Sequence, residues 1–328
     1  MLERRSERLV TEEYQELVRF PATPLKTIMQ GTISAPDAAT DARCSADLAR
    51  MQNEIVAALR VASRPEGIIF VHGFNSELRD GITTTASLWH YSGRIGVPIS
   101  YSWPAGNPGL TAYFKDRESG EFSTFHFREF LGSLAAIPEL KKIHVVAHSR
   151  GADLVTTGLR ELAIFERGGG RDARKTLKIH NLILAAPDLD FGVVRQRLVA
   201  EGTAAAVGAV TVYVNPLDRA LRFAQALATG TRIGRLSPEV FSEDDWQKLT
   251  RTQNVTFIDV EAAGGSLGHS YFRDNPAVLS DIILTLRSDA AAGSPERPLD
   301  LIRGNFWSLH ANYPGPRIIV EVRRGEDR

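Results

Sequence analysis

One stretch of the sequence joins a strand pattern to a helix pattern through a single serine. Residues 143–146 form a short β-branched run, and apolar residues then recur at helical spacing over 152–162. This order predicts a strand, a sharp turn at Ser149 and an amphipathic helix. Small residues, Ala147 and Gly151, stand two positions before and after the serine, which lets neighbouring backbone pass close to the turn. The alternative interpretation is that Ser149 only caps the helix that follows it.

Strand and helix patterns alternate along most of the chain. Strand-like runs occupy 67–71, 97–103, 143–146, 182–186, 210–214 and 255–260, and we expect the last of these to be the last strand of the chain. Helix-like patterns occupy 45–61, 78–93, 123–136 and 152–162. Such alternation predicts an α/β fold, a mostly parallel, doubly wound sheet with helices on both faces. We expect an N-terminal arm and helix over 1–66, the main domain over 67–288 and a C-terminal extension over 289–328.

Composition excludes several classes of partner. The 328 residues include 39 Lys and Arg against 39 Asp and Glu, so the chain has no net positive charge that would attract nucleic acid. The lone cysteine, Cys44, has no ligand cluster around it, and we expect neither a metal nor a cofactor. The N-terminus is charged and no apolar run approaches the roughly 20 residues of a spanning helix. These features predict a cytoplasmic protein without stable membrane insertion, unless a signal or anchor precedes the sequence given; they predict no oligomeric state.

Reactive residues are expected just beyond the carboxyl ends of the parallel strands, where the sites of such sheets lie. Ser149 is the candidate nucleophile, and it needs a base to take its proton. We favour His269, which follows the 255–260 run, as that base. His180 precedes a strand and is expected at the opposite edge of the sheet, and His310 lies in the tail.

The base needs an acid, and the sequence offers more than one. Asp218 follows the 210–214 run, whereas Asp188 and Asp190 follow the 182–186 run. The order serine, acid, histidine and the position after the penultimate strand favour Asp218. Asp218 could equally cap the helix that follows it.

A second signal lies at the end of the 67–71 run, where the chain continues as His-Gly-Phe-Asn over 72–75. A glycine at such a strand end allows a sharp turn that leaves backbone N–H groups free to bind an anionic oxygen. The predicted oxyanion hole consists of the N–H groups of Phe74 and Arg150. We interpret His72 and His148 as structural residues.

Two aromatic residues are candidates for substrate contact. Trp103 ends a strand-like run, and Tyr113 follows a proline- and glycine-rich loop that is able to line a pocket. The alternative is that both are ordinary core aromatics.

The chain carries an ordered set of short motifs. They read Phe-Val-His-Gly-Phe-Asn over 70–75, Tyr-Ser-Trp-Pro over 101–104 with Tyr113 and Asp116 downstream, Val-Ala-His-Ser-Arg-Gly over 146–151, Val-Tyr-Val over 212–214 with Asp-Arg-Ala-Leu over 218–221, and Gly-His-Ser-Tyr over 268–271. Over 67–286 this set resembles the α/β-hydrolase family of unknown function DUF900. The resemblance implies the α/β-hydrolase fold and a triad of Ser149, Asp218 and His269, and it implies no substrate. Arg150 departs from the family, which often has methionine there; we expect its side chain to point to solvent rather than to attract an anionic substrate.

These observations predict a metal-independent serine hydrolase that acts on a small-molecule ester through an acyl-enzyme. The alternative is a catalytically silent, hydrolase-like binding or scaffold protein. Its interaction surface would be the terminal segments, where Phe306, Trp307 and Tyr313 dock on another chain or back onto this one.

Overall fold

The structure is a computed structural model that describes residues 15–20, 27–29, 32–34, 37–107, 111–227, 230–252, 254–260 and 268–315. Two compact units divide the chain, residues 1–182 with 205–208 and residues 183–204 with 209–328.

The strands are β1 Thr27–Met29, β2 Thr32–Ser34, β3 Glu66–Val71, β4 Val97–Tyr101, β5 Lys142–His148, β6 Ile179–Ala185, β7 Ala209–Val214, β8 Val255–Asp259, β9 Asp300–Arg303 and β10 Phe306–Ser308. The helices are α1 Ala38–Val61, α2 Leu78–Tyr91, α3 Ala112–Ala135, α4 Gly151–Gly168, α5 Ala173–Leu177, α6 Phe191–Val194, α7 Arg219–Leu227, α8 Glu243–Arg251, α9 Tyr271–Asp274 and α10 Pro276–Arg287. A π-helix spans Arg195–Ala200, and 3₁₀ turns span Thr203–Ala206, Ile233–Arg235 and Pro238–Val240. Strands β1 and β2 pair with each other, and the other strands form an eight-stranded, mostly parallel sheet. The predicted α/β fold class is confirmed.

In the first unit the strand order is β4-β3-β5-β6. Strand β3 is parallel to both β4 and β5, and Val71 lies opposite Tyr101 on one side and Ala147 on the other. The three strands therefore end at the same level. The apolar sequences of β3 and β5 are explained by burial on both faces, which is typical of parallel strands, whereas β4 is the partly exposed edge strand.

In the second unit the order is β6-β7-β8-β10-β9, with β7 parallel to β8 and Val214 opposite Asp259. The expectation that 255–260 is the last strand is wrong, because β10 pairs in parallel with β8 and β9 pairs with β10. Strands of four and three residues are too short to show an apolar repeat. Phe306 of β10 is buried and stacks on Phe257 of β8 at 5.5 Å, so this part of the tail packs on its own chain. The predicted domain limits stay a prediction.

Two helices begin earlier than the sequence patterns indicated. Helix α1 begins at Ala38 rather than at 45, since the Asp37 side chain accepts hydrogen bonds from the N–H groups of Ala39 and Thr40 and caps the helix. Helix α3 begins at Ala112 rather than at 123. Its first turns were missed because their buried face includes a carboxylate, Asp116, where an apolar residue would continue the pattern.

A buried polar cluster ties the C-terminal segment to the sheet and to α10. Asp281 of α10 is fully buried, and the guanidinium of Arg297 donates to both of its carboxylate oxygens, at 2.9 and 2.8 Å. The hydroxyl groups of Tyr213 and Tyr313 also donate to this carboxylate. Burial opposes the charge of Arg297, but the Asp281 carboxylate outweighs it and raises the pKa of the arginine. Burial, followed by the same carboxylate, raises the pKa of both tyrosines.

We expect Asp281→Asn to lower the free energy of unfolding by about 3–5 kcal/mol, because it leaves a buried guanidinium without its counter-charge. Urea denaturation followed by circular dichroism measures this loss. The control is Glu121→Ala, which breaks an exposed ion pair with Arg117 and is expected to cost less than about 1 kcal/mol. Equal losses in the two variants would contradict a stabilising role for the cluster.

Candidate active site

Ser149 lies in the turn between β5 and α4 with a φ of 52°, in the left-handed region that a non-glycine residue seldom adopts. Ser149 is buried, with only 4% of its surface exposed. The N-cap of α4 is Arg150, so the interpretation of Ser149 as the cap of this helix does not hold. The predicted strand, turn and helix are all present, and the helix buries Ala152, Val155, Leu159 and Leu162.

Two glycines let the end of β3 approach this turn closely. A Cβ on Gly73 would lie 2.7 Å from the Cβ of Ser149, and a Cβ on Gly151 would collide with the carbonyl oxygens of Val71 and His72. Real Cβ atoms do not tolerate such contacts, so both positions require glycine. The loop that carries Phe74 is therefore held directly beside the serine turn.

Arg150 does not point to solvent, and that expectation is corrected. The residue is only 8% exposed, and its Nη2 donates to Asp153 Oδ2 at 2.8 Å. Asp153 lies three residues further along the chain, in the first turn of α4, where the two side chains face each other. The oxyanion role predicted for the N–H groups of Phe74 and Arg150 stays a prediction.

Both aromatic candidates for substrate contact are buried. Trp103 is 3% exposed; its ring stacks on His72 at 5.5 Å, and its Nε1 donates to the His72 carbonyl oxygen at 2.8 Å. Tyr113 lies in the first turn of α3 and packs edge-on against Phe74 at 5.8 Å. These contacts fit aromatics of the core, and a direct contact with substrate stays a prediction for both.

His72 supports the loop as a neutral imidazole. Its Nε2 accepts a hydrogen bond from the Trp103 N–H at 3.1 Å, so the other nitrogen, Nδ1, carries the hydrogen and donates to the Gly73 carbonyl at 3.0 Å. Burial lowers the pKa of His72, and the bond to Gly73 and the charges of Asp80 and Asp116 oppose that shift only in part. The residue therefore has the structural role that the sequence suggested.

In the second unit, Asp218 and His269 form a hydrogen-bonded pair. His269 Nδ1 lies 2.8 Å from Asp218 Oδ2; the carboxylate is fully buried, whereas the imidazole is 23% exposed. The other carboxylate oxygen, Oδ1, accepts the N–H of Leu221 at 3.0 Å, in the first turn of α7. One oxygen of Asp218 thus binds His269 and the other caps α7, and the catalytic role of the pair stays a prediction.

The rival carboxylates have other partners. Asp188 forms a buried ion pair with Arg232 at 3.2 Å, and Asp190 accepts the N–H of Val193 at 3.0 Å as the cap of α6. His180 is the second residue of β6, at its amino end, as expected. Most of the loop before His269, 261–267, lies outside the described residues.

Tyr271 is a supporting residue of this pair to which the sequence assigned no role. Its buried hydroxyl donates to the carbonyl of Tyr213 at the end of β7 and accepts the N–H of Ala186 after β6. Burial, followed by the charge of Asp218, raises the pKa of the phenol and keeps it a donor. The bridge fixes the start of α9, two residues beyond His269. A single tyrosine beside a loop carries no sequence pattern that would reveal such a bridge.

A cleft of about 410 Å³ lies within the second unit beside the π-helix. Its walls are mostly apolar and include Phe191 and Val199, and an ion pair of Arg195 with Asp245 at 3.2 Å borders it.

In the part of the chain that the structure describes, no three His, Cys, Asp or Glu side chains are grouped so that they could hold a metal ion. Among the described helices none combines the length and apolarity needed to cross a membrane.

Comparison with known proteins identifies the family. Residues 47–287 match the model of DUF900, described as an α/β hydrolase of unknown function. The chain belongs to the DUF900 family of α/β hydrolases. This family assignment confirms the resemblance seen in the sequence motifs. Among curated proteins none matches the chain.

Solved structures similar to this DUF900 hydrolase are distant. A CIB-like hydrolase from Thermoplasma acidophilum is 13% identical with a TM-score of 0.37, covering 69% of this chain and 87% of the other. Lipase B of Aspergillus fumigatus is 13% identical with a TM-score of 0.41, over 69% of this chain and 53% of the other. Acyl-protein thioesterase 2 of Zea mays is 16% identical with a TM-score of 0.35, over 67% and 92%.

The neutral state of His72 predicts a loss of stability in acid. An unfolded chain protonates histidine below a pH of about 6.5, whereas the folded protein resists protonation of His72. The unfolded state then binds more protons, so the free energy of unfolding falls as the pH is lowered through this value. We expect His72→Gln to make that fall shallower in urea titrations between about pH 7.5 and pH 5. His144, whose pKa burial also lowers, keeps part of the slope. The exposed His90 of α2 supplies the control His90→Gln, and an unaltered slope in His72→Gln would refute the prediction.

Proposed function

We propose that this DUF900 hydrolase is a serine hydrolase that cleaves small carboxylic esters through an acyl-enzyme. The observation that carries the proposal is the 2.8 Å hydrogen bond between His269 Nδ1 and the buried carboxylate of Asp218. A carboxylate only accepts, so Nδ1 carries the hydrogen and Nε2 is the atom able to take a proton. The left-handed backbone of Ser149 is a second support, since nucleophilic serines in this fold lie on such a turn.

In the proposed reaction His269 Nε2 takes the proton of Ser149 Oγ while that oxygen attacks the ester carbonyl carbon. Asp218 stabilises the imidazolium that forms. The N–H groups of Phe74 and Arg150 bind the negative oxygen of the tetrahedral intermediate. The intermediate collapses with loss of the alcohol, which receives the proton from His269.

Water then attacks the acyl-enzyme with the help of the same histidine and releases the acid, which restores Ser149. Esters are the substrate class that we propose, because an alkoxide demands less of the site as a leaving group than an amine. Thioesters and amides are compared with esters in the tests below.

We expect Ser149→Ala to reduce ester hydrolysis by about 10³-fold or more, because the nucleophile is removed. A panel of short- and long-chain p-nitrophenyl esters, with matched thioesters and amides, measures the activity, and a fluorophosphonate probe tests covalent labelling of the serine. Wild-type protein that is neither labelled nor active on the panel would favour the scaffold alternative. Unchanged activity and labelling in Ser149→Ala would refute the proposed nucleophile.

Asp218→Asn is expected to reduce kcat by about 10⁴-fold, since an amide cannot hold the imidazole in the required tautomer. The comparison is Asp190→Asn, which retains a side chain able to cap α6 and should stay near the wild-type rate. Stopped assays with the best ester of the panel give both rates. A large loss in Asp190→Asn with little in Asp218→Asn would assign the acid to the segment after β6 instead.

A further inference from the structure

We infer that Asp116 is a positioning residue for the oxyanion loop, and that its carboxylate holds the backbone that presents the Phe74 N–H group. This inference rests on the proposed function, from which the role of that N–H comes. It extends the machinery to a residue on α3 that would not touch the substrate.

The carboxylate of Asp116 joins two loops. The residue is fully buried, and its Oδ2 accepts the N–H of Asn75, in the loop after β3, at 3.2 Å. Its Oδ1 accepts both the N–H and the side-chain Nδ2 of Asn107, in the loop after β4, at 3.1 and 2.6 Å. One buried anion therefore anchors the loops that leave two neighbouring strands.

The bond to Asn75 acts on Phe74 through the peptide that links them. Asn75 has a φ of 51°, a left-handed conformation that the loop must be held in. Fixing its N–H fixes the plane of the peptide group between Phe74 and Asn75, and with it the carbonyl carbon of Phe74. The N–H of Phe74 belongs to the preceding peptide group and is held through the Cα atom of Phe74. One helical turn before Asp116, the ring of Tyr113 packs against Phe74 at 5.8 Å and holds the side chain of the same residue. Helix α3 thus orients Phe74 from both its backbone and its side chain.

The geometry demands a carboxylate at this position. Three N–H groups converge on two oxygens, and a carboxylate accepts at both. An amide of the same shape would turn an NH₂ group toward one set of donors and leave buried groups without acceptors. The loop after β3 would then lose the bond that orients its backbone N–H groups.

The test is Asp116→Asn. We expect kcat for the best ester to fall about 10- to 100-fold with KM nearly unchanged, because an oxyanion donor acts on the transition state. Affinity for an alkylboronic acid, which forms a tetrahedral adduct on a reactive serine, should fall by a similar factor. If the role of Asp116 is purely structural, a variant that circular dichroism and thermal melting show to be folded should keep both the wild-type kcat and the wild-type affinity for the boronic acid.

Glu118→Gln is the matched control, because it makes the same change from carboxylate to amide at an exposed position of α3, two residues beyond Asp116. It should retain the wild-type kcat. If Asp116→Asn does not fold, Asn107→Ala decides the question, since it removes one donor to the carboxylate and should lower kcat by a smaller factor without raising KM.

The inference is overturned if folded Asp116→Asn, or Asn107→Ala in its place, keeps the wild-type kcat, or if only KM changes. Ser149→Ala separates this failure from that of the proposed function. Activity that disappears in Ser149→Ala but stays at the wild-type level in Asp116→Asn refutes the positioning role alone. Activity that survives Ser149→Ala removes both proposals.

Discussion

The close approach of the end of β3 to the Ser149 turn is the constraint on which the first unit depends. Gly73 and Gly151 meet neighbouring backbone and the serine itself at distances that exclude any side chain. That contact lets a serine with a φ of 52° sit directly beside the loop that carries Phe74. A left-handed non-glycine residue costs of order 1–3 kcal/mol, and the surrounding packing must supply this. The carboxyl ends of β3, β4 and β5 lie at the same level, so the loops that follow β3 and β4 start beside the Ser149 turn.

Buried polar groups with several partners then fix the loops that the sheet leaves free. Asp116 joins the loops after β3 and β4, Tyr271 bridges the ends of β6 and β7, and Asp281 binds the tail through Arg297. Each is satisfied by more than one hydrogen bond, which is the condition under which burying a polar group stabilises a unique arrangement. Loops have no apolar repeat of their own, so these buried polar groups and their hydrogen bonds define the conformation of the loops.

The predicted strands from 67–71 to 255–260 are all present, because each is at least five residues long and rich enough in apolar residues to leave a readable pattern. The errors have equally physical causes. Strands β9 and β10 were missed because they are too short for a pattern, and the start of α3 was missed because Asp116 interrupts its apolar face. The solvent-facing expectation for Arg150 failed because Asp153, one turn away, pairs with it in a nearly buried position.

The sequence by itself determined the class of fold and the order of its candidate reactive residues. Strand patterns that alternate with helix patterns along the chain predict a parallel sheet. Residues just beyond the strand patterns then lie together at the carboxyl edge of that sheet. Only the tertiary structure decided which aspartate meets His269. Asp188, Asp190 and Asp218 all follow strands, and the sequence ranks them only by their position relative to the penultimate predicted strand. In the folded chain Arg232 neutralises Asp188, Asp190 caps α6, and Asp218, which is 51 positions from His269 along the chain, accepts its Nδ1 hydrogen. Partners so distant in sequence leave no local pattern, because only the packing of the strands sets the distance between them.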